Sequence, residues 1–237
     1  MTRRPTLVFV GPTLAAVEVR ERLPAATVRP PAAVGEVLRA LDERPARIVL
    51  IDGYFERMAA VWHKELLLAL ERGIAVYGAA SMGALRAAEL HRFGMIGVGA
   101  IFESFRDGAL VSDDEVAVAH LPAEQQFRPV SDALVNLRFG LAAATRARVI
   151  TATSRAALVE LARSRFYRER SWAQLDADAR TAGVAPRELD ALARWPKPDA
   201  KADDARRLLT LISRDPRPRR RKIRVPRTWA LRQLLAM

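Results

Sequence analysis

The residues best suited to chemistry lie in a short loop, Tyr77-Gly-Ala-Ala-Ser-Met-Gly83. An apolar run precedes this loop and a helix-forming run follows it, so the pattern predicts Ser81 at the N-terminus of a helix. A serine at that position can cap the helix by accepting a backbone N–H. It can equally be a nucleophile on a strand–turn–helix elbow, since residues 79–83 resemble the G-x-S-x-G pattern with alanine in place of the first glycine. The loop alone leaves both interpretations open.

In the nucleophile interpretation, the small residues around Ser81 leave room for a substrate. The backbone N–H groups of Met82 and Gly83 would bind an oxyanion, and the positive end of the helix dipole would stabilise its charge. The small residues beginning at Gly78 would leave a narrow slot beside the serine. In this interpretation the loop would form an acyl-transfer site.

A serine nucleophile needs a base, and the sequence offers several. The chain has three histidines, at positions 63, 91 and 120, and the pattern places none of them. The run His63-Lys64-Glu65 interrupts an otherwise apolar helix predicted over residues 57–72. A lysine among apolar neighbours loses solvation, which lowers its pKa and lets its neutral amine act as a base for serine. Lys64 could instead reach solvent or pair with Glu65, and periodicity does not separate Lys64 from His63.

Other polar residues have equally good structural explanations. Asp52 follows an apolar strand, where sites form in α/β proteins, but it also begins an Asp-Gly turn. Arg86 and Glu89 are three residues apart on one predicted helix and are expected to pair. The acidic run 113–115 is expected to begin a helix after Ser112, because acidic residues favour that end. We predict no metal and no cofactor.

Composition limits the possible functions. The chain has no cysteine, which excludes a disulfide, a thiolate metal site and a cysteine nucleophile, so any sulfur it handles is carried by a partner or a small molecule. No stretch is long enough to span a membrane and no signal peptide is recognisable, so a cytoplasmic protein is expected. The net charge is +12, but residues 214–227 hold eight basic residues and one acidic residue. This segment is expected to join no core, and nucleic-acid binding by the body of the protein is not expected.

The order of the predicted elements points to a fold class. Strands are predicted at 6–10, 26–28, 47–51 and 74–77, and helices at 13–22, 34–41, 57–72 and 82–91. This alternation predicts an α/β fold, with a parallel-type sheet flanked by helices in the N-terminal core. Beyond residue 150 the pattern is mainly helical. The predicted boundaries are 1–145 for the core, 146–213 for a helical C-terminal region and 214–237 for a basic Pro/Arg-rich tail.

Several motifs in one order resemble the TfuA-like family. They are Val8-Phe-Val-Gly-Pro-Thr-Leu14, Ile51-Asp-Gly-Tyr-Phe55, Val61-Trp-His-Lys-Glu65, Gly78-Ala-Ala-Ser-Met-Gly-Ala-Leu-Arg-Ala-Ala-Glu-Leu90, Gly94-Met95, Gly97-Val-Gly99 and Asp113-Asp-Glu-Val-Ala117. The resemblance covers about residues 8–136, and nothing beyond residue 145 matches. A set of motifs in a fixed order is much more specific than any one of them.

The resemblance implies a function and a pair of catalytic residues. TfuA-like proteins work with YcaO-type enzymes, which use ATP to activate the backbone amide of a precursor peptide for thioamidation. The TfuA-like partner hydrolyses the C-terminal thiocarboxylate of a ThiS-like sulfur carrier protein and so releases sulfide. The family's Ser-Lys pair matches Ser81 and Lys64. The alternative is a non-catalytic adaptor that recruits the precursor peptide to the YcaO enzyme, and an adaptor would tolerate Ser81→Ala.

Overall fold

The fold is built on a parallel sheet of five strands. The computed structural model describes residues 4–55, 58–215 and 223–235. In chain order the strands are β1 (Thr6–Phe9), β2 (Ala26–Arg29), β3 (Arg47–Leu50), β4 (Ala75–Ala79) and β5 (Ile96–Val98). They lie side by side in the order β2-β1-β3-β4-β5, and every neighbouring pair is parallel. The predicted α/β fold with a parallel sheet is confirmed.

Helices connect the strands and cover the sheet. They are α1 (Ala16–Arg22), α2 (Glu36–Ala40), α3 (His63–Glu71), α4 (Met82–Leu90) and α5 (Ala100–Arg106). Every residue of β3 and of β4 is buried. Strands covered on both faces have nearly continuous apolar sequences, which is why these two were recognisable. These elements, together with the described residues that follow position 201, form one compact unit.

Helix α3 begins six residues later than the sequence pattern predicted. The prediction of a helix from residue 57 is wrong, because Ala60 makes an isolated bridge with Ala33 and the carbonyl of Ala59 accepts a hydrogen bond from Val34 (2.8 Å). These contacts hold the backbone extended up to Trp62, the N-cap residue. The correction moves His63 from mid-helix to the first residue of α3.

The C-terminal segment of this unit packs against its N-terminal part through helix α10 (Ala200–Arg214). The Asp204 carboxylate accepts hydrogen bonds from the N–H groups of Ala100 (3.0 Å) and Ile101 (2.8 Å), which begin α5. Arg206 pairs with Glu18 of α1 at 2.7 Å. The region after residue 150 is mainly helical, as predicted, but one of its helices, α10, belongs to the unit that contains the sheet.

The basic tail is also attached to this unit where it is described. Residues 216–222, which hold four of the tail's eight arginines, lie outside the described residues. Val225 is buried and its N–H donates to Glu71 (2.9 Å), while Arg227 pairs with the same carboxylate (2.8 Å). Helix α11 (Trp229–Leu235) follows and buries Leu231. The expectation that residues 214–227 join no core is therefore wrong at Val225.

Residues 112–201 form a second compact unit, which is helical. Its helices are α6 (Leu134–Arg146), α7 (Ala152–Ser164), α8 (Trp172–Thr181) and α9 (Pro186–Arg194). They share an apolar core that includes Leu141, Leu158, Leu175 and Leu189. The limits of the two units, near residues 111 and 201, do not coincide with the composition-based boundaries near 145 and 213. Within the described ranges, no helix has the length and apolar character needed to cross a membrane.

Candidate functional site

The parallel sheet brings the predicted site residues to one edge. In such a sheet the helix that follows each strand starts at the carboxyl edge, where α/β proteins usually bind their ligands. Asp52 lies just after β3, and the segment that follows leads into the first turn of α3, with His63 and Lys64. Ser81 lies between β4 and α4. Because β3 and β4 are neighbours in the sheet, all four residues lie at the same edge.

Ser81 follows a strained turn. Its N–H donates to the carbonyl of Ala79 (2.8 Å), two residues earlier, and the intervening Ala80 has a φ of 68°. This hydrogen bond and the positive φ define a γ-turn of the rare, strained kind. Alanine in the left-handed region costs on the order of 1 kcal/mol relative to ordinary backbone. The strain is at Ala80, one residue before the serine, so the turn differs in detail from the predicted elbow.

The hydroxyl of Ser81 does not cap helix α4. Ser81 occupies the N-cap position with only 7% of its surface exposed, but its side chain makes no capping hydrogen bond. Its carbonyl accepts the N–H groups of Ala84 (2.9 Å) and Leu85 (3.3 Å) instead. The structure therefore does not show the helix-capping role that was one of the two interpretations of Ser81.

Glycines allow the N-terminus of α4 to touch the sheet. A Cβ added to Gly83 would lie 1.9 Å from the carbonyl oxygen of Leu50, and one added to Gly78 would lie 2.2 Å from the carbonyl oxygen of Gly83. The N–H of Gly83 donates to Ile51 (3.1 Å), so an oxyanion would have to compete with that carbonyl. The N–H of Met82 has no acceptor in the described part of the chain. Close packing thus explains why positions 78 and 83 are glycines. The N–H of Met82 remains a predicted oxyanion donor.

Asp52 holds the loop between β1 and α1 against β3. Its buried carboxylate accepts the N–H groups of Gly11 (2.8 Å) and Thr13 (3.0 Å) and the hydroxyl of Thr13 (2.6 Å). Three donors satisfy this carboxylate and fix its orientation. A role of Asp52 in substrate binding stays a prediction, whereas these three contacts show a structural role.

Two side chains that the sequence analysis did not assign to the site fix the start of α3. Glu65 is fully buried and accepts the N–H groups of Trp62 (3.0 Å) and Leu38 (3.1 Å). Arg86 of α4 donates to the carbonyl of Val61 (2.9 Å) and also makes the predicted pair with Glu89. A glutamate at the third position of a helix is a recognisable capping signal in a sequence. The contact of Arg86 with the distant carbonyl of Val61 has no such sequence signal. Together these contacts hold the first turn of α3 next to α4.

His63 and Lys64 begin that turn with different surroundings. The side chain of His63 is exposed, and that of Lys64 is partly buried. Although much of the imidazole is exposed, the part that faces its neighbours loses solvation, and this lowers the pKa of His63 below its usual 6.5. His63 is therefore mostly neutral near pH 7. Glu89 and Arg86 also influence this histidine, which places it near α4.

The acidic run 113–115 makes ion pairs. Asp114 pairs with the buried Arg170 (2.6 Å), and Glu115 pairs with Arg138 (2.8 Å). Only a 3₁₀ turn forms over Asp113–Glu115, where a helix start was predicted. Across the residues that the structure describes, no group of histidine and acidic side chains could hold a metal ion.

Comparison with known proteins gives a family. No curated protein matches the chain. The family model described as TfuA-like protein matches residues 52–171, about half of the chain. The matched span includes Asp52, His63, Lys64 and Ser81, and it extends to residue 171, whereas the resemblance recognised in the sequence ended at about residue 136. The chain belongs to the TfuA-like family.

Proposed function

We propose that this protein is the partner of a YcaO-type enzyme in peptide backbone thioamidation. In this proposal it hydrolyses the C-terminal thiocarboxylate of a ThiS-like sulfur carrier protein and releases sulfide beside the activated amide of the precursor peptide. Family membership supports the partnership with YcaO. The absence of cysteine requires the sulfur to be carried by something other than this chain. The ATP-dependent partner reaction makes the cytoplasm the proposed location.

The observation that carries the hydrolytic part is the state of Ser81. Its hydroxyl has no capping bond, and it follows a strained turn at the N-terminus of a helix. A serine that only completed the fold would cap the helix, which is worth about 1 kcal/mol. The helix N-terminus also provides positive potential where an oxyanion would form.

The proposed mechanism is a two-step acyl transfer. The Oγ of Ser81 adds to the thiocarboxylate carbon while the amine of Lys64 accepts the hydroxyl proton. The C–S bond then breaks, its electrons leave with the sulfur, and the lysine passes the serine proton to that sulfur, so hydrosulfide departs and the amine is free again for the second step. Water, deprotonated by Lys64, attacks the acyl-enzyme and releases the carrier as a carboxylate. The N–H of Met82 stabilises the oxyanion in both steps, and His63 contacts the carrier tail.

Sulfide release from a thiocarboxylated ThiS-like carrier tests the proposal. Wild type would be compared with Ser81→Ala, Lys64→Ala and the double variant, with Ser164→Ala as the control. Ser164 is an exposed serine in α7, so its loss should leave the rate unchanged. Removing one member of a cooperating pair should lower kcat by about 10³-fold or more, and the double variant should be little worse than either single variant. Folded single variants with the wild-type rate would refute the catalytic role and favour the adaptor function.

A further inference from the structure

We infer that the backbone N–H of Gly53 is the second oxyanion donor of this site, acting together with the N–H of Met82. The inference rests on the proposed function, because it needs Ser81 to attack a carbonyl. Hydrolases with a comparable elbow use one N–H from the residue after the nucleophile and another from a loop that follows a neighbouring strand. Gly53 occupies such a loop, three residues after β3.

A second donor is needed because Gly83 is already engaged. Its N–H donates to the carbonyl of Ile51 at 3.1 Å. That bond fixes helix α4 to the end of β3, and breaking it during each catalytic cycle would oppose oxyanion binding. Preorganised donors are effective because they need no rearrangement when charge develops. A donor with no competing acceptor is therefore better suited to this role.

The peptide group between residues 52 and 53 determines where the N–H of Gly53 points. The carbonyl of Asp52 accepts the N–H of Ala32 (3.0 Å), and the N–H of Tyr54 donates to the carbonyl of Ala32 (3.0 Å). The described part of the chain has no cis peptide bond. In a trans peptide the C=O and the N–H point in opposite directions, so the N–H of Gly53 points away from Ala32. No acceptor for it exists among residues 4–55, 58–215 and 223–235.

Helix α4 lies on the side away from β1. In the preceding peptide group, the N–H of Asp52 donates to the carbonyl of Phe9 in β1 (3.2 Å). The carbonyl of Ile51, at the other end of that peptide group, therefore points away from β1. This carbonyl accepts the N–H of Gly83 in α4. A Cβ on Gly53 would come within 2.8 Å of the Cγ of Met82 and 3.1 Å of its Cβ. Gly53 thus lies directly against the first residue of α4.

This arrangement gives the addition step two donors. When the Oγ of Ser81 bonds to the carbonyl carbon, the π electrons move to the carbonyl oxygen and the serine proton moves to Lys64. The resulting oxyanion would accept hydrogen bonds from Gly53 and Met82. When the C–S bond breaks, its electron pair leaves with the sulfur, which takes the proton from Lys64 and departs as hydrosulfide, while a lone pair of the oxyanion re-forms the carbonyl. Glycine at position 53 leaves no side chain between its N–H and the substrate.

A backbone substitution tests this role without adding a side chain. Glycolate in place of Gly53 exchanges the N–H for an ester oxygen. The assays are sulfide release from the thiocarboxylated carrier and the rate at which a fluorophosphonate probe labels Ser81. Loss of one oxyanion donor should lower kcat about 10²- to 10³-fold with little change in KM, and should slow labelling similarly. The matched control is the same exchange at Tyr54, which removes a hydrogen bond to Ala32 from the same bridge.

The outcomes separate this inference from the proposed function. A slow Gly53 ester and a near-wild-type Tyr54 ester would support Gly53 as a donor. Equal losses in both would overturn it, since loop structure alone would then explain them. If Ser81→Ala is inactive and the Gly53 ester has the wild-type rate, only the role of Gly53 fails. If Ser81→Ala remains active and still reacts with the probe, the proposed function fails and this inference fails with it.

Discussion

Removing the carboxylate of Glu65 should destabilise the protein and loosen the turn that carries Lys64. Glu65 is fully buried, and it accepts the N–H groups of Trp62 and Leu38. In Glu65→Ala both donors lose their partner, and each unsatisfied donor costs about 1–3 kcal/mol. Each lost buried methylene contributes about 0.8 kcal/mol more. Since both hydrogen bonds are themselves only partly buried, water can partly replace the carboxylate, and we expect the free energy of unfolding to fall by about 3 kcal/mol, a substantial fraction of a typical domain stability.

Urea unfolding followed by circular dichroism measures this change, and fluorophosphonate labelling of Ser81 reports its effect on the site. Glu65→Gln should lose less stability, because its amide oxygen can still accept one of the two hydrogen bonds. Glu43→Ala is the control, since Glu43 is an exposed residue that pairs with Arg29 on the surface (2.7 Å). It should change the free energy of unfolding by less than about 1 kcal/mol. A loss below 1 kcal/mol in Glu65→Ala would refute the assignment of Glu65 as the anchor of this turn.

Three further predictions concern packing and charge. Gly83→Ala should prevent native docking of α4, because the new methyl would lie 1.9 Å from a carbonyl oxygen of β3, and its melting temperature should fall by many degrees. Glu18→Gln should cost about 0.5–1 kcal/mol at pH 7. The hydrogen bond from Arg206 lowers the pKa of Glu18 below 4.5, so wild type should lose this advantage as the pH falls through that lowered value. Leu231→Ala, at a fully buried position, should cost about 2–4 kcal/mol, whereas the half-exposed Leu235→Ala should be nearly neutral in the same unfolding assay.

The fold could be predicted from the sequence wherever local patterns and tertiary structure agree. Strands β3 and β4 are buried on both faces, and their bounds were predicted to within two residues. The start of α3 could not be predicted, because the apolar run around residues 58–62 fits a helix as well as a buried extended segment. The bridge between Ala60 and Ala33 makes this segment extended, and pairing with a segment that is distant in the sequence leaves no local pattern. Val225 was missed for the same reason, since its partner Glu71 is 154 positions away.

The candidate site was predictable as a set of residues but not as a geometry. Ser81 and Lys64 were identified through a motif and a family resemblance, and the sheet brings them to one edge. The strain at Ala80 had no sequence signal, because alanine rarely adopts a positive φ and nothing in its neighbours indicates one. The orientation of the N–H of Gly53 depends on the hydrogen bonds of Ala32, which no motif contains.

The energetics of the turn favour a catalytic site over an adaptor surface. Glycine at position 80 would adopt the positive φ without strain, and a capping serine at position 81 would stabilise α4. The chain has neither feature: Ala80 is strained and the hydroxyl of Ser81 caps nothing. An adaptor would gain nothing from these two losses, because Ser81 is 93% buried and offers little surface to a protein partner. A nucleophile gains from both, since the rigid turn fixes its direction and a hydroxyl without a capping bond can transfer its proton to a base.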